Sequence, residues 1–182
     1  MDRPLRKDAL NHRRALLRAA AEVMAEHGLN APLELVAERA GVGRGTLYRN
    51  FANRVELALA VLAQDLENLA ERTARQGEAA DVFFWFLDEL GELSLRNAGI
   101  AGALRATAPD ALAPLRAVVV RASGPALARA QAAGLVRPDL SPTDIGLVAG
   151  LLSAAAAGEE SGRAERSRRA RDLVLSGLRA RP

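Results

Sequence analysis

Apolar residues recur at helical spacing along most of this chain. Leu10, Ala15, Leu16, Ala19, Ala20, Val23 and Met24 fall on one stripe of a first helix, about 9–27, which Gly28 ends. Val36, Ala37 and Ala40 put small or apolar side chains on one face of a short second helix that begins near Asn30-Ala31-Pro32, with the proline suited to its first turn. Gly41 falls where that helix should stop and the backbone must turn left-handed, which only glycine does cheaply. The third helix, about 44–50, turns Leu47 and Phe51 inward and leaves Arg44, Thr46, Tyr48, Arg49 and Asn50 outside. Val42 and Leu47 hold it against the second helix, and Ala37 is small where the two cross. This is the spacing of a helix-turn-helix. A short helix that is polar on its outer side fits the major groove of DNA.

The remaining pattern is helical as well. A fourth helix runs from Arg54, with Asn53 as its N-cap, to about 75, and it carries Leu57, Leu59, Val61, Leu62, Leu66 and Leu69. A fifth, about 80–96, opens with Val82-Phe83-Phe84-Trp85-Phe86-Leu87, apolar around its full circumference. Such a segment must be buried on most sides or line a cavity. Short helices follow at about 98–106 and 112–121. Ser123-Gly124-Pro125 predicts a break before helix resumes to 133. Ser141, Pro142 and Asp144 then read as N-cap, first and third positions of a helix to about 157. That helix is nearly all apolar, with Gly146 and Gly150 allowing close approach of a partner. The last helix, about 164–180, alternates arginines with Ala170, Leu173, Val174, Leu175 and Leu178. Two C-terminal helices with apolar faces suggest a subunit interface.

Ala37, Ala40-Gly41-Val42, Gly45-Thr46-Leu47-Tyr48, Phe51 and Arg54-x-Glu56-Leu57 together resemble the DNA-binding domain of the TetR family of bacterial transcriptional regulators. The match runs over roughly residues 10–60, and the segment 134–152 resembles a linker and helix of the same family. The resemblance implies an all-α fold of about nine helices. Residues 1–54 would be a three-helix DNA-binding domain with a flexible basic arm at 1–8. Residues 55–182 would bind a ligand and dimerise. It also implies that Thr46 and Tyr48 meet phosphate oxygens and that Arg54 replaces a phosphate-binding lysine. Its ligand pocket lies among the central helices, so Phe83, Trp85 and Phe86 become candidate pocket residues. Its last two helices pair across a dimer, so Leu147, Leu151, Leu173 and Leu178 become candidate interface residues. The chain departs from the family where Ala31, Pro32 and Gly43 replace hydroxyl residues that cap helices and donate to phosphate.

Geometry adds further roles at the third helix. Arg44, outward at the N-terminal end, suits a guanine edge. Gly45 lets the backbone come close to the duplex, and Arg49 and Asn50 meet either a base or a phosphate. Arg3, Arg6 and Lys7 either reach phosphates or a minor groove, or form a solvated tail.

Composition narrows the alternatives. Residues 1–54 hold ten Arg/Lys against six Asp/Glu, net +4, so the rest contributes −1 to the overall +3. Positive charge gathered at the helix-turn-helix end suits phosphate binding. There is no cysteine, and His12 and His27 are the only histidines. No metal site, cofactor or catalytic dyad is therefore expected. No apolar run reaches the ~20 residues of a membrane span, and the charged N-terminus has no signal-type core. A cytoplasmic location is expected. The leading reading is a homodimeric repressor on a palindromic double-stranded operator, released by an apolar small-molecule effector. A constitutive DNA-binding protein without a ligand is the alternative, and a small all-α carrier or enzyme is a distant third.

Overall fold

Small side chains let the first three helices pack tightly. In the computed structural model, which describes residues 3–158 and 160–180 and side chains from residue 10 onward, α1 (Arg3–His27), α2 (Leu33–Arg39) and α3 (Arg44–Asn50) precede α4 (Arg54–Arg75). They are followed by α5 (Val82–Arg96), α6 (Ala98–Thr107), a 3-10 turn (Pro109–Leu112), α7 (Ala113–Ala132), α8 (Pro142–Ala155) and α9 (Arg163–Leu178). The fold is all-α: nine α-helices and no strand occur among the described residues. The chain divides into two compact units, Met1–Gln64 and Asp65–Pro182, and the division falls inside α4. The boundary expected from the sequence, after residue 54, falls at the start of that helix.

In the first unit, Leu16, Ala20, Val23, Val36, Ala37, Leu47 and Phe51 are buried together with Leu57 and Ala58 of α4. Two details differ from the sequence pattern. The backbone of residues 3–8 extends α1 instead of forming an arm, because Pro4 is tolerated in a first turn and Leu, Arg and Lys are good helix formers. The arm's first two residues and the side chains of Arg3, Arg6 and Lys7 lie outside the described part. Leu10, expected on the buried stripe, is exposed, and Leu17 is buried in addition to the expected set. Across the unit, Arg39 of α2 donates to Glu26 of α1 at 2.7 Å. That hydrogen bond holds the Glu26 carboxyl below the usual carboxylate range.

In the second unit, one apolar core gathers Phe83, Phe86, Leu87, Leu90 and Leu93 of α5 with Val119, Leu127 and Ala130 of α7, Ile145, Val148 and Leu152 of α8, and Leu178 of α9. The aromatic run of α5 is thus explained mainly by burial on several sides. Gly146 lies against α7, where an added Cβ would stand 3.1 Å from Val120 Cγ2. The predicted break at 123–125 does not occur. α7 runs through Pro125, with Val119, Ser123, Ala126 and Leu127 buried on one side. Pro125 and Arg121 lie on the exposed side, where water can take the place of the amide donor that proline lacks. Burial along one stripe therefore overrides the local helix-breaking signal. The chain end is tied down too: Arg137 N–H donates to Leu178 O and Ala180 N–H to Leu135 O, both at 3.1 Å.

The expected cap of α8 forms in full. The Asp144 N–H donates to Ser141 Oγ, and the Ser141 N–H and hydroxyl donate to Asp144 Oδ2. These bonds, from the hydroxyl first and then the backbone, hold the Asp144 carboxyl below the usual carboxylate range. Ser141→Ala is expected to destabilise the second unit by about 1 kcal/mol at neutral pH, read by denaturant unfolding. A depressed native pKa contributes stability above the unfolded carboxylate range and loses it as pH falls through the native value. The variant's deficit should therefore shrink in acid. A deficit that stays constant down to strongly acid pH would assign the effect to the neutral bond from the Asp144 N–H to Ser141 Oγ and not to the Asp144 carboxylate.

Candidate nucleic-acid interface

The turn between α2 and α3 sets the interface. Gly41 adopts φ +66°, and its N–H donates to Glu38 O at 3.0 Å. The Val42 N–H then reaches back to Ala37 O at 3.0 Å, which closes the end of α2. The extended Gly43 starts α3, and its carbonyl accepts the N–H groups of Thr46 and Leu47. Neither Pro32 before α2 nor Gly43 before α3 supplies a side-chain cap. This matches the missing hydroxyls noted in the sequence. α4 is different: the Glu56 N–H donates to Asn53 Oδ1 at 2.9 Å, and Glu56 Oε2 accepts the Ala52 N–H at 2.7 Å.

The inner side of α3 is closed. Leu47 and Phe51 are each 1% exposed, and the Arg13 guanidinium sits 4.6 Å from the Phe51 ring centre. The outer side carries six of the seven expected contact residues on one helix, in two states. Arg44, Gly45 and Tyr48 stand out into solvent, Tyr48 at 51% exposure. A Cβ on Gly45 would meet nothing within 4 Å, so the backbone there is open to a close approach. Thr46, Arg49 and Asn50 instead form a local network. Arg49 donates through Nε to Gly45 O at 3.0 Å and through a terminal nitrogen to Thr46 Oγ1 at 3.1 Å. Asn50 Nδ2 donates to Thr46 O at 2.8 Å. The seventh residue, Arg54, opens α4 and donates to Asn30 Oδ1 at 3.2 Å. Both Arg49 and Arg54 thus bond to neutral acceptors, and neither has an acidic partner within ion-pair distance among the described residues. Sequence reasoning missed three neighbours of this surface: Asn30, Arg13, and Glu34, whose Oε1 lies 3.8 Å from Arg44. Only charge placement at the start of α2 hinted at the last.

Elsewhere the expected site residues separate. Phe83 and Phe86 lie within the core, while Trp85 is half-buried under the Arg72 guanidinium, 5.2 Å from its ring centre. Leu147, Leu151 and Leu173 are exposed at 61%, 61% and 57%. Leu178, expected beside them, is 7% exposed. It belongs to the core of its own unit, next to the backbone pairing of the chain end with Leu135 and Arg137. No helix among the described residues is long and apolar enough to cross a membrane.

A family model described as bacterial regulatory proteins, tetR family, matches residues 16–61, and one described as transcriptional regulator SbtR-like, C-terminal domain, matches residues 78–180. The chain belongs to the TetR family. As such it is a DNA-binding transcriptional regulator, and this family is not one of enzymes. Among solved structures it is similar to the TetR transcriptional regulator SCO0520 from Streptomyces coelicolor, at 32% identity and TM-score 0.67, over 93% of this chain and 99% of that one. It is also similar to a TetR transcription regulatory protein from Mycobacterium vanbaalenii, at 28% identity and TM-score 0.68, over 97% and 100%. Among curated proteins it is 38% identical over 85 residues to the transcriptional activator FasR of Mycolicibacterium smegmatis, which spans 40% of this chain and 39% of that protein. The match thus covers well under half of that regulator's length.

Proposed function

We propose that this TetR-family chain acts as a homodimeric repressor on a palindromic operator, with α3 reading the major groove of each half-site. The observation that carries the reading is the outer side of α3, where Arg44, Gly45 and Tyr48 are free of the core and an arginine, the side chain suited to a guanine edge, stands first in the helix. Arg49, Arg54, Thr46 and Asn50 then serve phosphates around it. Dimerisation is supported by the stripe of Leu147, Gly150, Leu151 and Ala154 on α8, all exposed at helical spacing, and by Leu173 of α9, which is exposed as well. An added Cβ at Gly150 would meet nothing within 4 Å, which leaves room for a second copy to approach. Two copies make a two-fold reader, and a two-fold reader needs two half-sites about one helical turn apart.

Release by a small apolar effector completes the proposal, with the half-buried Trp85 and the core residues Phe83 and Phe86, all on α5, as its candidate contacts. The effector would act by favouring one separation of the two α3 helices over the other. Selection of duplexes from a random library tests the DNA half of this reading: a motif with dyad symmetry is expected, and enrichment of a single asymmetric site would overturn the dimeric mode. A screen of apolar small molecules against that duplex tests the other half. One that weakens binding is expected, and its loss in Trp85→Ala would tie it to α5. Finding none would favour a constitutive DNA-binding protein.

A further inference from the structure

Glu34 lies in the first turn of α2, and its Oε1 is 3.8 Å from a terminal nitrogen of Arg44, the first residue of α3. Glu34 is the only acidic side chain within ion-pair distance of any of the seven expected contact residues, among the described residues. The pair bridges the two helices of the helix-turn-helix, in the open: the side chains are 72% exposed for Arg44 and 42% for Glu34. Its worth to folding is accordingly small. Its placement matters more than its strength, because it singles out one arginine. Arg49 and Arg54 bond to carbonyl, hydroxyl and amide oxygens and keep an uncompensated charge. Of these three arginines, Arg44 alone has a counter-charge among the described residues.

That difference has a physical consequence at a duplex. A bare guanidinium is drawn to every phosphate, and this attraction is independent of sequence. Reading guanine depends instead on two donors meeting O6 and N7 in fixed geometry. A nearby carboxylate offsets the first attraction and leaves the second geometry available.

We propose that Glu34 is a specificity-determining residue of the DNA interface: it offsets the charge of Arg44, so that this guanidinium is withheld from phosphates and kept for a base edge. The proposal rests on the reading of α3 given above.

Full-length Glu34→Gln tests it, against wild type, on two duplexes: one selected from a random library by wild type, and one of the same composition in scrambled order. On the scrambled duplex the dimer frees two arginines, so affinity is expected to rise about two- to thirtyfold, and the slope of log affinity against log salt to steepen by about 1.8. On the selected duplex the gain is smaller, so the ratio between the two falls. In an Arg44→Ala background the same Glu34→Gln change should have no effect. An equal gain on both duplexes, a gain that persists without Arg44, or no change at all would each overturn the proposal and leave the role of α3 intact. Wild type that selects no sequence would overturn both. Matching thermal melts of the variants and wild type keep folding defects out of the comparison.

Discussion

Leu147→Glu combined with Leu151→Glu is expected to yield a folded monomer that binds operator at least about a hundredfold more weakly than wild type. Both leucines are largely exposed in the single chain, so charge there costs the fold little. Two glutamates on one stripe of α8 would bring like charges and unpaired polar groups into a dimer interface. A monomer reads one half-site and loses the gain from tethering the second. Light scattering or sedimentation measures the first effect, and a titration of the selected duplex measures the second. A variant that remains dimeric would move the interface away from α8. Leu178→Ala provides the contrast: from the core of the second unit it should cost about 2–5 kcal/mol of stability without targeting an interface.

Phe51→Ala is expected to unfold the N-terminal unit selectively. Phe51 is a fully buried ring that follows α3 directly, and its N–H donates to Leu47 O at 2.9 Å. Its removal leaves a cavity costing about 3–5 kcal/mol, a large share of the roughly 5–15 kcal/mol that holds a typical domain together. The ring also carries the Arg13 guanidinium, so Arg13→Ala should show a smaller loss of about 0.5–1 kcal/mol. Hydrogen exchange distinguishes the units. Amides of α1, α2 and α3 should lose protection in Phe51→Ala while those of α5, α7 and α8 keep theirs. Equal loss in both would mean that the units do not unfold separately, and full protection in α1–α3 would mean that Phe51 is not the keystone of this core.

The helix-turn-helix was legible because its requirements are local. A small Ala37 at the crossing, a left-handed Gly41 and an apolar Leu47 can be placed without knowing the rest of the chain. The same holds for the caps at Asn53 and Ser141, which follow from residue type and a three-residue spacing. Local signals failed where distant packing competes with them. Ser123-Gly124-Pro125 has the composition of a break, yet buried positions on one side carry α7 through it. Leu178 shares the last helix with Leu173, but backbone pairing with Leu135 and Arg137 draws it inward. At the interface, the outward set on α3 could be read from periodicity alone. How its side chains are shared could not. Arg49 folds back on Thr46, and Glu34 reaches Arg44 across a turn, and such bonds depend on rotamers and on the helix crossing.

The central claim is that the outer side of α3 reads operator DNA. The most direct measurement is a titration of the selected duplex with the Arg44→Ala/Tyr48→Ala double variant. Both side chains are exposed, so its melt should match wild type. The Arg44 change alone is expected to weaken binding by about 1–3 kcal/mol per half-site, roughly five- to 150-fold for each, and to relax the preferred sequence at one position of each half-site. Loss of the Tyr48 hydroxyl should weaken all sequences alike. A double variant that binds the selected duplex as tightly as wild type would contradict the assignment of α3 as the reading helix.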